Sequence, residues 1–305
     1  MNGHKYFKRA VKNGNYRKIE RMINIKNIFD PDINYYKYAV KTNIKTVQVL
    51  QNIKNIKKIT DDVLFYVINK NNYDMLEYLL KEVKLNPNVL DNNGNSILFS
   101  IDDNITLEYF INYGANPNVY NNMDQSLLHT WFKTKSYDEC KYLCKKCDMN
   151  ITDKKQNNIL HNLLYEWNLC YTDIQLVSKY IDIDLINHKN TNGDTPFSLF
   201  INHGYTRDSR CILDYIINNF KTCDLKQTNI HGENIFFMFK RYYIFNDNVI
   251  DQKITLNIIK KLLDHGVNPY HTNKYGKNFI DQCHSYIKEF INEYMAVDIK
   301  EPCVD

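Results

Sequence analysis

The chain is poor in the residues that punctuate β-structure. Nine Gly and six Pro in 305 residues leave too few turn formers for an all-β sandwich built on tight hairpins. No run of about 18 apolar residues is present, so no membrane-spanning helix is expected. The opening MNGHKYFKRAVKNGNYRKIE lacks the apolar core of a secretory signal. A cytosolic or nuclear setting is therefore expected, where thiols stay reduced and the sequons Asn104-Ile-Thr106 and Asn150-Ile-Thr152 carry no meaning. Signatures of catalysis are missing too: no Gly-rich phosphate loop, no G-x-S-x-G, no H-E-x-x-H and no carboxylate pair at a useful spacing. Asp61-Asp62 and Asp102-Asp103 read as helix starts and surface charge. No enzyme, cofactor or metal is expected.

What is present is the balance of a folded protein, with 44% hydrophobic and 24% charged residues. Abundant Asn, Ile, Lys and Tyr are the bias that an AT-rich genome imposes. Charge is uneven. Residues 1–58 hold 14 Lys and Arg against 3 Asp and Glu, a net of +11, and the rest of the chain carries −7. A basic end attracts phosphate, but no base-reading motif accompanies it. Lysine-rich outer helix faces are the preferred reading, and nucleic acid is disfavoured as a partner.

One phrase recurs along the chain: Gly94-Asn-Ser-Ile-Leu-Phe99, Asp124-Gln-Ser-Leu-Leu-His129, Gln156-Asn-Asn-Ile-Leu-His161, Gly193-Asp-Thr-Pro-Phe-Ser198, Gly232-Glu-Asn-Ile-Phe-Phe237 and Gly276-Lys-Asn-Phe-Ile-Asp281. Each places Ser, Thr or Asn two residues after a turn and directly before apolar residues, as a helix N-cap requires. The intervals are 30, 32, 37, 39 and 44 residues. A second phrase ends the units: Leu79-Leu80 with Leu85-Asn-Pro-Asn88, Phe110-Ile-Asn-Tyr-Gly114-Ala-Asn-Pro-Asn118, and Leu262-Leu-Asp-His-Gly266-Val-Asn-Pro269. It reads as an apolar helix end, a Gly suited to the left-handed C′ position, and a Pro-containing loop. Each unit is thus helix, turn, helix, loop.

These phrases resemble the ankyrin repeat, with its period of about 33 residues and its Thr-Pro-Leu-His-like helix start. Thr195-Pro-Phe, Leu128-His129 and Gly114-Ala-Asn-Pro-Asn118 carry the likeness most closely. The expected fold is an all-α ankyrin-repeat solenoid of about eight to nine degenerate helix-turn-helix units in one domain, 1–305. The units fall near 1–30, 31–58, 59–90, 91–120, 121–152, 153–188, 189–227 and 228–271, with a C-terminal cap at 272–305. The extra residues of the long units, LLYEWNLCYTDIQ, NHGYTRDSR and KRYYIFNDNVIDQK, are expected to lengthen helices or form loops.

Cys140, Cys144 and Cys147 form the one cysteine cluster. Zinc wants four converging ligands, and a redox dithiol wants a strand-to-helix context, so structural thiols are the preferred reading. Matching Asn150 to Asn118 puts Cys147 at the buried Ala115 place, with Cys144 and Cys140 on the outer helix face. The resemblance gives His129 and His161 the family's turn-bracing hydrogen bond, and Trp131 and Phe132 read as core.

In ankyrin arrays, loop tips and the exposed side of the first helix grip partners. On that basis Tyr120, Tyr165, Trp167, Tyr205, Arg241, Tyr242 and Tyr243 are the candidate contacts, being types that dominate binding hot spots. The loop tips Tyr120-Asn-Asn-Met123 and His188-Lys-Asn-Thr191 are further candidates. The uneven, Asn/Ile/Tyr/Lys-rich units resemble the ankyrin proteins of poxviruses. That implies a non-enzymatic host-range or immune-evasion factor in the host cytoplasm, or the nucleus. Its partner would be a host signalling protein of the innate-immunity, NF-κB or cell-death pathways. Many such proteins add an F-box-like tail that engages Skp1 of a ubiquitin ligase. No Leu-Pro-x-Glu-like box occurs here, so the chain either sequesters its target or is the substrate-binding part of a longer adaptor. A chromatin-associated ankyrin protein, and an effector of an AT-rich intracellular bacterium or parasite, are the alternatives.

Overall fold

The computed structural model describes residues 3–25, 28–68, 72–135, 137–165, 178–179, 183–202, 216, 223–240 and 249–298. The described elements are helices, and no regular strand occurs among the described residues. Two compact bodies are present, an N-terminal half Met1–Thr130 and a C-terminal half Trp131–Asp305.

In the N-terminal half, short helices alternate. First helices are α1 (Gly3–Lys12), α3 (Tyr36–Ala39) and 3-10 turns at Asp61–Tyr66 and Ile97–Ser100. Second helices are α2 (Tyr16–Met22), α4 (Ile44–Gln51), α5 (Tyr73–Glu77) and α6 (Asn104–Asn112). Every second helix starts on an Asx cap: Asn15, Asn43, Asn72 and Asp103 each accept the backbone N–H three residues on, at 2.7–3.2 Å. Such a cap contributes about 1 kcal/mol to a helix this short. Apolar spacing then selects the buried face, as in Phe7, Ala10 and Val11 of α1. Phe7 meets Tyr35 edge-on at 5.1 Å.

α7 (Leu127–Thr134) leads into the C-terminal half. There follow α8 (Tyr137–Lys146), α9 (Ile159–Tyr165), a 3-10 turn at Ile183–Asn187, α10 (Pro196–Asn202), a 3-10 turn at Ile235–Lys240, α11 (Val249–Asp264) and α12 (Ser285–Asp298). α11 has 16 residues and buries Ile258, Ile259 and Leu262. Phe236 and Phe279 stack at 5.4 Å between successive repeats. Burying side chains of this size contributes about 1.5–3 kcal/mol each.

The recurrent turn phrase folds the same way six times. The Asx side chain at 91, 121, 153, 190, 229 or 273 accepts the N–H groups two and four residues on. Its own N–H donates to the carbonyl four residues on, at 2.8–3.0 Å. The fourth residue has positive φ: Gly94, Asp124, Gln156, Gly193, Gly232 and Gly276. Next comes the cap: Ser96, Ser126, Asn158, Thr195 and Asn234 each accept a backbone N–H of the following helix, whereas Asn278 accepts the N–H of Asp281 in a turn that does not continue as a helix. The first five hairpin fingers therefore serve as helix starts.

Neighbouring repeats are stitched differently in the two halves. In the N-terminal half side chains do it: Asp61 Oδ1 accepts Asn86 N–H, Asn88 Oδ1 accepts Asn116 N–H, and Asn95 Oδ1 accepts Asn122 N–H. In the C-terminal half main-chain rungs are added to side-chain stitches such as Asp224 N–H to Asn187 Oδ1 and His161 Nε2 to Asp194 O. Thr191 N–H donates to Lys155 O, Ile230 N–H to Asn192 O, and Lys274 N–H to His231 O, at 2.9–3.0 Å.

The cysteine register differs from the expectation. Cys140 and Cys144 are buried together with Leu143, and Cys147 is half-buried. The Asx turns do align, since Asp148 and Asn116 both accept the N–H two residues on. However, five positions separate Leu143 from Asp148, whereas six separate Phe110 from Asn116. The Gly114-type C′ residue is the one lost, so the helix is rotated by one residue relative to its turn. At Leu79 the step to Asn86 is seven, and a π-turn at Tyr78–Glu82, with Lys84 at positive φ, absorbs the surplus.

Candidate functional site

The surface that the repeated plan leaves open in each half is its set of finger tips. Position by position, the residue before the positive-φ turn is Asn93, Met123, Lys155, Asn192, His231 and Tyr275. Each finger is fixed by its bidentate Asx turn, so its tip is held by bonds to its backbone N–H rather than by its own side chain. In finger 1, the N–H groups of Asn95 and Asn93 hold the Asp91 carboxyl below its ordinary 3.8, against a smaller opposing effect of burial.

In the N-terminal half the tips present Leu90, Tyr120 and Met123, the last 71% exposed. In the C-terminal half they present Ile230, Tyr270 and Tyr275, the last 67% exposed. The Tyr275 hydroxyl lies 3.3 Å from His231 Nδ1, with the rings 6.1 Å apart. Tyr270 is braced by its hydroxyl on Asn292 at 2.9 Å. Large apolar side chains on rigid tips are ready for contact at little ordering cost.

Of the sequence-based candidates, Tyr120 is on this surface, 44% exposed and bridged to Ser126 across finger 2. Tyr165 ends α9, but its side chain lies outside the described residues. Trp167, Tyr205, Arg241, Tyr242 and Tyr243 also lie outside them. His188 and Lys189 turn out to be braces: His188 Nε2 reaches Gln156 O at 3.1 Å and Lys189 Nζ donates to Thr228 O at 2.8 Å. Trp131 is buried. Tyr275, His231, Ile230 and Tyr270 were not singled out by sequence, yet Tyr275 and His231 share the column of Met123. Following that column through the repeat would have found them.

The histidines brace turns. His161 Nε2 donates to Asp194 O at 3.0 Å, joining finger 3 to finger 4, while its Nδ1 side contacts the Asn158 cap. His129 Nδ1 lies 2.6 Å from Ser126 Oγ. Burial pushes the Cys144 and Cys147 thiols up to about 12, which removes the thiolate that both metal binding and exchange require. Among the described residues no three His, Cys, Asp or Glu converge as a metal would need. No helix among them is long and apolar enough to cross a membrane.

No family model matches the chain, and no curated protein matches it. Among solved structures it is similar to the ankyrin repeat domain of Bcl-3, described as a unique member of the IkappaB protein family. The TM-score is 0.55 at 13% identity, covering 75% of this chain and 97% of that one. Repeated finger, helix pair and solved neighbour agree: the chain has the all-α ankyrin-repeat fold.

Proposed function

We propose that the chain is a non-enzymatic protein-binding module whose finger tips contact a partner protein. The observation that carries this is the set of exposed Leu90, Tyr120, Met123, Ile230, Tyr270 and Tyr275 on or beside hairpins whose turns are closed by backbone and Asx hydrogen bonds. Tyr is a preferred hot-spot type because it offers a large amphipathic contact for two rotatable bonds.

The composition and uneven repeats support a finer reading, a poxvirus-type host-range or immune-evasion factor. It acts in the host cytoplasm on an innate-immunity, NF-κB or cell-death signalling protein. As the substrate-binding part of a ubiquitin-ligase adaptor, it would choose the target that a Skp1-binding segment delivers. The test is affinity purification from host-cell lysate with wild type, Tyr275→Ala and a Tyr120→Ala/Met123→Ala pair. A signalling protein retained by wild type and lost, by about tenfold or more, with one variant supports the reading. Recovery of the same proteins by all three variants, or of none, refutes it.

A further inference from the structure

The N-terminal half carries a second surface, on the side of its first helices. Lys8 and Lys12 lie one turn apart on α1, and Lys37 is on α3. Their ammonium groups sit 5.2, 4.9 and 5.3 Å from the centroid of one ring, Tyr38. Lys41, just past α3, sits 5.0 Å from the ring of Tyr66 on the next first helix. Lys12 and Lys41 are exposed, and the other members are half-buried.

The arrangement gathers like charges among few carboxylates. Those near in sequence are Glu20 on α2, Asp30 and Asp32 in the loop before α3, and Asp61 and Asp62 on the turn that carries Tyr66. Among the described residues none of Lys8, Lys12, Lys37 and Lys41 forms an ion pair, unlike Lys81 with Glu77. Each cation–ring contact is worth about 0.5–1 kcal/mol at an exposed site, and mutual repulsion of the cations works against it. The local field is visible at Tyr38. Burial pushes its phenol up, yet the Lys8 hydrogen bond and the charges of Lys37, Lys8 and Lys12 bring it below its ordinary 10.0.

We propose that this first-helix face docks an acidic segment of a partner protein, rich in Asp and Glu. A compact knot of point charges suits carboxylates, which each ammonium meets singly. Nucleic acid fits less well. The rings of Tyr38 and Tyr66 are already covered by ammonium groups, so they offer no bare face for base stacking. The knot also contains no arginine, the residue that reads phosphate and guanine bidentately. The face gives the protein-binding reading a second contact and a partner chemistry. Its test does not depend on the finger tips.

The experiment is fluorescence anisotropy of the full chain with a labelled decapeptide of alternating Glu and Gly, at low and high salt. Saturable binding that weakens with salt is expected. The pair Lys12→Gln/Lys41→Gln, both exposed, should weaken it about tenfold. The pair Lys18→Gln/Arg21→Gln on α2, which removes equal charge, should leave it unchanged. Equal weakening by the two pairs would mean a diffuse basic field and overturn the proposal, as would absence of peptide binding. Tighter binding of single-stranded oligo-dT than of the peptide would assign the face to nucleic acid and overturn it equally.

Discussion

Substitution at Gly193 separates backbone strain from crowding between repeats. Gly193 and Gly276 occupy the same place in fingers 4 and 6, with φ of +72° and +71°. A Cβ at Gly276 would meet nothing within 4 Å, whereas at Gly193 it would lie 2.8 Å from Ile230 N and 3.1 Å from Asn229 Cα. Alanine at either pays about 1–2 kcal/mol for the left-handed backbone. At Gly193 the neighbouring finger must also retreat and loosen the Ile230 N–H rung to Asn192 O, 3.0 Å long, which adds about 2 kcal/mol. Asparagine tolerates left-handed φ, so Gly276→Asn should fall within about 0.5 kcal/mol of wild type. Gly193→Asn should keep the crowding cost of about 2 kcal/mol. Urea unfolding followed by circular dichroism measures the difference, and amide exchange at Ile230 locates it. Equal destabilisation by Gly193→Asn and Gly276→Asn would refute the reasoning.

Asn158→Ala removes the cap of α9 and leaves the buried Leu185 carbonyl without the Asn158 Nδ2 donor now 2.7 Å away. Denaturant unfolding should show a loss of about 3 kcal/mol, against about 1 kcal/mol for Ser96→Ala, which caps only its own helix. Iodoacetamide with peptide mapping at pH 8 should leave Cys144 unlabelled in the native protein and label it fully in urea, since burial holds its thiol near 12; native labelling at the rate of a free thiol would contradict the burial. Because that folded pKa is raised above the ordinary 9.0, its contribution is complete below pH 9 and is lost as pH rises toward 12. By pH 10.5 the stability should drop by about 2 kcal/mol through this thiol. A Cys144→Ala variant should show a correspondingly shallower alkaline decline, and identical slopes would count against the assignment.

The plan of the fold was legible because its signals are local. Ser96, Ser126, Asn158, Thr195 and Asn234 stand where caps were expected, each accepting the N–H that a cap must satisfy, and only Asn278 caps a turn in place of a helix. What was not legible depended on counting across a helix end. One missing residue between Leu143 and Asp148 rotates α8 and brings Cys140 and Cys144 inward. The surface was half legible. Tyr120 announced itself as a loop-tip aromatic, whereas Tyr275 was hidden among the turn residues of finger 6. The lysine knot was out of reach, because Lys8 and Tyr38 meet only when two repeats stack.

The stitching of the C-terminal half by main-chain rungs has a consequence for how this sequence can drift. Thr191 to Lys155, Ile230 to Asn192 and Lys274 to His231 are bonds between groups that every residue except proline possesses. A substitution at these positions leaves the rung in place, provided it fits the finger. In the N-terminal half, by contrast, replacing Asp61, Asn88 or Asn95 removes a bond outright. The later repeats, spaced 37, 39 and 44 residues apart, thus keep these three rungs whatever side chains stand at them, while replacing Asn187 or His161 would still remove a side-chain stitch. Side chains at those rung positions can therefore change at small cost to folding.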